Sequence, residues 1–136
     1  HYRAEADPSL NLMVDMQRFF ERSLDRARRA GIPDTHLILD PGIGFGKTVA
    51  HNLQLLASLD RLRATGVAIM VGVSRKAFIA KLSRGEPPKE GVGGWGPAAL
   101  PAVARGADIV RVHDVAATRQ ALAVWQALAA TSRDGQ

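Results

Sequence analysis

The sequence predicts an α/β fold with a parallel sheet, because short apolar runs alternate with helical patterns along its 136 residues. Three runs, at residues 36–39, 67–71 and 108–110, are typical of buried parallel strands. Each ends in polar or glycine residues and leads to a helical pattern, and parallel neighbours need a connection of that length. Polar chemistry at the carboxyl ends of successive parallel strands is typical of the active face of a (βα) barrel.

The length of the chain bears on which parallel architecture it forms. A closed eight-stranded barrel usually takes about 250 residues and rarely fewer than about 200. The 136 residues therefore supply about half of one. The predicted opening helix has no strand before it, which indicates that the sequence begins inside a βα unit. A small doubly wound open sheet fits the same order of elements.

Apolar residues at helical spacing predict five helices, two of them before the second strand. The first covers residues 9–30 and ends before Gly31 and Pro33, which both interrupt helices. The second follows the glycine loop and ends at Gly66. The leucines that we expect to face the core are Leu55, Leu56, Leu59 and Leu62.

The other three helices follow the second and third strands. A short helix starts after Ser74, a suitable N-cap, and leads to a loop rich in proline and glycine at residues 85–96. The next helix covers residues 98–105 and the last covers residues 117–130, followed by a frayed tail at 131–136. The last helix is expected to bury Leu122, Trp125 and Leu128.

Composition favours one globular domain over residues 1–136. An apolar content of 46% can form one ordinary core, and no apolar run approaches the roughly 18 residues that a membrane span needs. No secretory signal is recognisable, so we expect a cytoplasmic location and no membrane partner. The absence of cysteine excludes disulfides, thiolate zinc sites and a cysteine nucleophile.

The net charge of +5 and the pI near 10.4 raise the question of nucleic-acid binding. The arginines, however, are dispersed over predicted helix faces, and aromatic residues make up only 5% of the chain. We therefore expect no nucleic-acid partner and only a mild attraction for anionic substrates.

The first strand leads into a glycine loop, Asp-Pro-Gly-Ile-Gly-Phe-Gly-Lys-Thr, at residues 40–48. A phosphate-binding P-loop needs four residues between its glycines, whereas three separate Gly42 from Gly46, and the dinucleotide fingerprint also fails on spacing. There remains Asp40 at a strand end, beside a backbone that a flat ligand can approach closely. Capping of local amides by Asp40 is an equally good interpretation.

The third strand ends in a cluster of residues that indicates a more specific chemistry than the glycine loop does. In an extended segment, Arg111 and His113 point to the same side, and a fixed cation beside an imidazole favours an anion such as a phosphate group. An ion pair of Arg111 with Asp114 or Asp108 is the alternative, and by itself this cluster slightly favours that alternative.

The second strand leads to Ser74 and Lys76. Ser74 and the first-turn amides of the helix after it form a suitable site for a carboxylate or a phosphate. Lys76 is equally compatible with a solvated lysine at the start of a helix.

Together the three clusters resemble one family, the dihydropteroate synthases. The resemblance lies in DPGIGFGK at residues 40–47, GVSRK at 72–76 and RVHDV at 111–115, in that order, and it extends over nearly the whole chain. The family has a (βα)₈ TIM barrel and joins 6-hydroxymethyl-7,8-dihydropterin pyrophosphate to p-aminobenzoate, which yields 7,8-dihydropteroate and pyrophosphate. The resemblance therefore implies a transferase of folate biosynthesis, represented by about the C-terminal half of the barrel.

The resemblance also implies roles for individual residues. Asp40 would accept hydrogen bonds from the pterin ring, and Lys76 would contact the carbonyl side of the pterin and border the aminobenzoate site. Phe45 would line the aminobenzoate pocket together with the glycine loop around Gly44, and Ser74 would contribute to substrate binding.

Arg111 would lie against the pterin and, with His113, hold the pyrophosphate as negative charge develops on it. Lys76, Arg111 and His113 are therefore the catalytic residues that the resemblance implies. Stabilisation of the leaving group and positioning of the amine would then supply most of the catalysis, without a covalent nucleophile. The family also uses Mg²⁺ on the pyrophosphate, with an asparagine ligand from a first strand that this chain lacks, and it is generally homodimeric.

Two segments depart from the family pattern. Residues 90–97 lack an arginine and a small hydroxyl residue that the family carries there, and Pro101 falls inside a predicted helix, where proline costs about 3 kcal/mol. We expect a disrupted helix or a diverged paralogue. Ala77 replaces a serine that often meets the aminobenzoate carboxylate in the family, which leaves only backbone donors at that position.

Two alternative functions remain open. A diverged homologue that binds pterin without catalysis, or that serves as a structural partner, is consistent with Trp95, Pro97 and Pro101. A methyltetrahydrofolate-to-corrinoid methyltransferase shares the barrel and a strand-end aspartate, although the SRK and RVHD sequences argue against it.

We expect the 136-residue chain to be inactive by itself, because the pterin contacts and mobile substrate loops of the first half of the barrel are not among its residues. The measurement is dihydropteroate formation by the purified chain from the pterin pyrophosphate and p-aminobenzoate. Turnover above the uncatalysed rate would contradict this expectation.

Overall fold

A parallel sheet of three strands organises the fold. The structure, a computed structural model, describes residues 12–45, 48–72 and 96–134. Strands β1 (Ile38–Leu39), β2 (Ala68–Gly72) and β3 (Ile109–Arg111) lie side by side in that order, and both pairs are parallel. The predicted parallel α/β fold is therefore confirmed, with β2 in the centre.

The first strand is shorter than the sequence predicts. Residues Asp34–His36 form a single 3₁₀ turn instead of extended chain, and His36 donates its N–H to the carbonyl of Pro33 at 2.9 Å. The prediction that the strand begins at residue 36 is therefore wrong. Pro33 precedes the turn in an extended conformation, with φ of −70° and ψ of 148°, and the turn ends at Leu37, whose N–H donates to the carbonyl of Asp34 at 3.1 Å.

Helix α1 (Leu12–Arg29) is amphipathic, as its apolar spacing predicts. Gly31, with φ of +84°, ends it in a left-handed conformation: the N–H of Gly31 donates to Arg28 and the N–H of Ile32 donates to Ala27. This pair of hydrogen bonds is a Schellman motif and satisfies carbonyls that the helix end would leave open. The buried residues of α1 are Leu12, Met13, Met16, Phe20 and Leu24.

An exposed ion pair connects the end of α1 to the following turn. The Arg28 guanidinium donates two hydrogen bonds of 2.8 Å to the two carboxylate oxygens of Asp34. These bonds hold the pKa of Asp34 below its ordinary value and raise the pKa of Arg28. Because the folded-state pKa of Asp34 is depressed, the pair stabilises the fold above the ordinary pKa and this contribution is lost as the pH falls through the depressed value.

The predicted second helix is divided into two. Helix α2 (Val49–Ala57) ends at Ser58, whose N–H is shared between the carbonyls of Gln54 and Leu55, and α3 (Leu59–Leu62) follows directly. A 3₁₀ turn over Arg63–Thr65 then leads to Gly66, where the sequence predicts the end. The break preserves the predicted core positions Leu55, Leu56, Leu59 and Leu62, all of which are buried.

Helix α4 (Gly96–Ala104) contains Pro101 and is continuous through it. The expected disruption of this helix is therefore wrong, and Pro101 occupies an exposed position on it. The end of the helix follows the sequence prediction: the N–H groups of Gly106 and Ala107 donate to Val103 and Ala102, which forms a second Schellman motif.

Helix α5 (Val115–Asp134) is longer at both ends than the predicted helix, and the predicted frayed tail is helical as far as Asp134. The prediction that Leu128 is buried is wrong, since it is 65% exposed, and Leu122 and Trp125 are only half-buried. Val124, at 61% exposed, and Leu128 lie four residues apart and therefore share a face of α5, which the other described residues leave open.

The two faces of the sheet differ in what covers them. Leu39, Ile69 and Val71 are buried in the helix-covered core, because parallel partners point to the same side of a sheet. On the opposite face, Ile38 is 53% exposed and Ile109 is 39% exposed. One covered face and one open apolar face are what part of a barrel wall presents, since the inner face of a barrel is covered by the other strands.

Several predictions lie outside the described residues. The short helix after Ser74, most of the glycine-rich loop at 85–96 and the end of the tail, residues 135–136, belong to this group. Among the helices that the structure does describe, none is long and apolar enough to cross a membrane.

In the full-length protein, Pro101→Ala is expected to raise the free energy of unfolding by about 2 kcal/mol. Alanine supplies the N–H that the helix interior lacks and removes the ring, and the greater freedom of the unfolded chain offsets part of this gain. Denaturant unfolding measures the change. Pro97→Ala is the matched control, because the first turn of a helix has no internal partner for that N–H, and an equal effect of both changes would contradict the prediction.

Candidate active site

The strand register gathers three predicted clusters at one edge of the sheet. Asp40 directly follows β1, Gly72 ends β2, and Arg111 ends β3. Gly72 and Arg111 are Cα partners, and Ile38 pairs with Ala68, so alternation along the strands places Asp40, Gly72 and Arg111 toward the open face. The carboxyl edge of the open face therefore carries a carboxylate and a guanidinium on either side of a glycine.

Arg111 lies directly over Gly72. A Cβ atom built on Gly72 would lie 2.6 Å from Nη2 of Arg111 and 3.2 Å from its Cζ. Real side chains do not approach this closely, so the guanidinium occupies the space that glycine leaves open. Glycine at the end of β2 is thus what allows the Arg111 side chain to cross the centre of the sheet edge.

The alternative ion pairs of Arg111 are absent among the described residues. Asp114 is instead the N-cap of α5, where its Oδ1 accepts a hydrogen bond from Ala117 N at 3.0 Å. Asp108 lies at the opposite edge of the sheet, accepts a hydrogen bond from Ile69 N at 3.0 Å and lies 3.9 Å from Arg63. Neither carboxylate neutralises Arg111, so its charge faces the exposed edge of the sheet.

Asp40 begins a tightly hydrogen-bonded loop. Its Oδ1 accepts a hydrogen bond from Gly42 N at 2.8 Å, which is the local capping interaction considered from the sequence. A carboxylate has about four acceptor positions, so this single bond leaves the capacity to bind a ligand. Local capping and ligand binding by Asp40 are therefore compatible.

A β-turn follows Asp40 and presents Phe45. The N–H of Phe45 donates to the carbonyl of Gly42 at 3.1 Å, and Gly44 occupies the third position with φ of +85°, as in a type II turn. Ile43 fixes the turn to the core, since its side chain is 1% exposed, whereas Phe45 is 54% exposed. The turn therefore displays an aromatic ring at the edge of the sheet.

Sequence analysis missed one polar residue that holds this loop. Asn52, on α2, is 1% exposed, and its Oδ1 accepts a hydrogen bond of 2.8 Å from the N–H of Gly44. The available signal was a polar residue on the apolar side of a helix otherwise rich in leucine. A buried amide side chain normally has a specific partner, which the sequence does not identify.

The structure places only part of the predicted site. Asp40, Gly44, Phe45, Arg111 and His113 lie within the described residues, and His113 is exposed two residues beyond Arg111. Ser74 and Lys76, as well as Ala77, lie outside them. In the parts of the chain that the structure describes, no group of three His, Asp or Glu side chains is arranged to hold a metal ion.

The sheet resembles part of a barrel wall with polar residues at its carboxyl edge, and comparison with known protein families gives an independent result. A family model described as "Pterin binding enzyme" matches residues 3–113. The chain belongs to this family of pterin-binding enzymes.

Individual relatives are dihydropteroate synthases. The chain is 47% identical over 118 residues to that of Synechocystis, covering 87% of this chain and 41% of the relative, and 38% identical over 123 residues to that of Escherichia coli, covering 90% and 43%. A solved structure of dihydropteroate synthase from Xanthomonas albilineans in complex with 7,8-dihydropteroate has a TM-score of 0.86 at 43% identity, covering 95% of this chain and 49% of the other.

A second structure from the same organism, with 4-aminobenzoic acid, has a TM-score of 0.86 at 45% identity, covering 96% of this chain and 48% of the other. The chain thus spans about two fifths of these curated relatives and about half of these solved structures. Its α/β sheet corresponds to part of the TIM barrel of that family, and the predicted fold class is confirmed.

Gly72→Ala in the full-length protein is expected to displace the Arg111 guanidinium by at least about 1 Å, because a Cβ contact below about 3 Å is not tolerated. Stability should change by less than about 1 kcal/mol, since the contact involves the flexible end of a side chain. A crystal structure and denaturant unfolding measure the two effects.

Gly31→Ala is the control for this change. A Cβ there has no atom within 4 Å, but φ is +84°, so we expect a loss of about 1 kcal/mol without movement of any neighbour. An unmoved Arg111 in Gly72→Ala would show that Gly72 does not determine its position.

Proposed function

We propose that the full-length protein that carries this chain is a dihydropteroate synthase. It would join 6-hydroxymethyl-7,8-dihydropterin pyrophosphate to p-aminobenzoate and release pyrophosphate. The observation that carries the proposal is the arrangement of Asp40, Gly72 and Arg111 on one face at the carboxyl edge of the sheet. Identities of 38–47% to dihydropteroate synthases support the same conclusion.

Asp40 and Phe45 suit the two organic substrates. A carboxylate at the end of β1 can accept hydrogen bonds from the N–H donors of a pterin ring, and such bonds are stronger for an ionised acceptor. Phe45, exposed at the tip of the turn, offers a flat apolar surface for the ring of p-aminobenzoate. Lys76 and Ser74 would complete this side of the pocket, and their roles stay predictions.

Arg111 and His113 suit the leaving group. When the carbon–oxygen bond breaks, its electron pair passes to the pyrophosphate and the pterin methylene becomes electron-deficient. The amine nitrogen of p-aminobenzoate then forms the new carbon–nitrogen bond and loses a proton. A guanidinium without a carboxylate partner among the described residues can stabilise the developing negative charge, so positioning and electrostatics suffice without a covalent intermediate.

We propose that any Mg²⁺ on the pyrophosphate takes its protein ligands from outside the described residues. Mg²⁺ binding to a nucleotide or pyrophosphate usually involves one or two carboxylates together with phosphate oxygens. The resemblance to the family implies an asparagine ligand from a first strand, so the roles given above to Asp40, Arg111 and His113 do not depend on a metal ligand of their own. The cytoplasmic location and the homodimer stay predictions.

Arg111→Lys in the full-length protein is expected to lower kcat/KM for dihydropteroate formation about a hundredfold. Lysine keeps the positive charge but loses the planar pair of donors that binds a phosphate group, and loss of one such transition-state contact costs about 10²-fold or more. Chromatographic measurement of dihydropteroate, with release of pyrophosphate as a second readout, tests the change.

Arg63→Lys is the matched control, because Arg63 also packs over a glycine, Gly106, but at the opposite edge of the sheet. We expect its kcat/KM to stay within about threefold of the wild-type value, as for a surface substitution away from a site. Wild-type protein that binds pterin without turnover would favour the non-catalytic homologue. Methyl transfer from methyltetrahydrofolate to cobalamin would instead favour the methyltransferase.

A further inference from the structure

Asn52 is buried although its side chain is polar. It lies one turn into α2, and its backbone N–H donates to the carbonyl of Thr48 at 3.0 Å. Its side chain is 1% exposed, and Leu55, one turn further along α2, and Ile43, in the turn that Asn52 meets, are also fully buried. Burial of an amide is unfavourable unless the group is hydrogen-bonded, so its contacts need a physical explanation.

The contact made by Asn52 complements the turn that it meets. In the turn from Gly42 to Phe45, the carbonyl of Gly42 and the N–H of Phe45 bond to each other at 3.1 Å. That hydrogen bond does not use the N–H of Gly44, which donates instead to Oδ1 of Asn52 at 2.8 Å. Asn52 therefore satisfies a donor within the turn and connects the turn to a helix of the core.

Two further contacts hold the same loop at other points. The buried side chain of Ile43 anchors the turn to the core, and the Asp40 carboxylate accepts a hydrogen bond of 2.8 Å from the N–H of Gly42. Asp40 itself follows directly from β1, so its position depends on the sheet and not on Asn52. Phe45, by contrast, is the residue directly after Gly44 and is mostly exposed.

We propose that Asn52 is a positioning residue that fixes the Phe45 side of the pocket and thereby sets the affinity for the aromatic amine. The proposal rests on the proposed function, in which Phe45 forms a wall of the p-aminobenzoate site. Without the Asn52 acceptor, the turn from Gly42 to Phe45 loses its connection to α2. The pterin contact of Asp40 stays in place because the sheet holds it.

The experiment uses Asn52→Leu in the full-length protein, a change that keeps the size of the side chain and removes its acceptor. We expect KM for p-aminobenzoate to rise about tenfold, the effect of losing one well-formed hydrogen bond. KM for the pterin pyrophosphate and kcat should each change less than about threefold, which is within ordinary variation for residues away from the chemistry. A purely structural role would lower the amount of active protein without separating the two KM values.

Asn52→Asp is the rescue variant, because a carboxylate near the N-terminus of α2 keeps an acceptor for Gly44 and interacts favourably with the helix dipole. We expect its KM for p-aminobenzoate to lie within about threefold of the wild-type value, since the hydrogen bond is retained. Thr65→Val is the matched control: Thr65 also forms a side-chain-to-backbone hydrogen bond, to Leu62 at 2.8 Å, but at the opposite edge of the sheet. It should leave both KM values unchanged.

A second measurement does not depend on the reaction. Protein labelled with ¹⁵N-glycine reports hydrogen exchange of the Gly44 amide by NMR, and we expect exchange at least about tenfold faster in Asn52→Leu than in wild type or Asn52→Asp. If Asn52→Leu fails to fold, Asn52→Ser replaces it, because serine is too short to reach Gly44.

The outcomes separate the two proposals. If the wild type does not form dihydropteroate, the proposed function fails, and the Gly44 exchange rates still decide whether Asn52 holds the turn. Equal exchange in wild type and Asn52→Leu would overturn the positioning role. Equal increases in both KM values would overturn the selective effect on the aromatic amine.

Discussion

Parallel pairing of β2 with both of its neighbours is the constraint on which the rest of the structure depends. The pairing places Ile69 and Val71 toward the helices and Gly72 toward the open face. Because the side-chain period of a strand is two residues, a shift of the register by one residue would exchange the two faces. The same register that builds the core therefore also aligns Asp40 and Arg111 beside Gly72.

Glycines have distinct physical roles at the two edges of the sheet. At the carboxyl edge, Gly72 removes a Cβ from the path of the Arg111 guanidinium. At the other edge, Gly106 makes similar room for the methylene groups of Arg63, whose guanidinium lies near Asp108. Arg63 thus lies near a carboxylate, whereas Arg111 keeps its charge at the carboxyl edge, where the polar residues lie.

The turn from Gly42 to Phe45 combines a conformationally free backbone with two contacts that hold it in place. Gly42 and Gly44 adopt positive φ values, which glycine alone does readily, and this allows the chain to reverse direction close to the end of β1. Conformational freedom of that kind would leave Phe45 poorly placed. Ile43 and Asn52 remove the freedom by anchoring the turn through one apolar and one polar contact.

Sequence periodicity predicted which segments form helices better than it predicted where each helix begins, breaks or ends. The leucines of the second helix are buried as predicted, yet the helix is interrupted at Ser58, whose N–H is shared between two carbonyls. Leu128 has the periodicity of a core residue but is 65% exposed. Periodicity reports which residues share a face, and burial depends on whether another element covers that face.

The sequence by itself determined the parallel α/β class, the order of the elements and the clustering of Asp40, Arg111 and His113 at strand ends, because these depend on local spacing. Only the tertiary structure decided that Arg111 lies over Gly72, and that Asn52 holds the N–H of Gly44. These contacts join residues 39 and 8 positions apart, across separate elements. Their geometry depends on sheet register and helix packing, which no local pattern specifies.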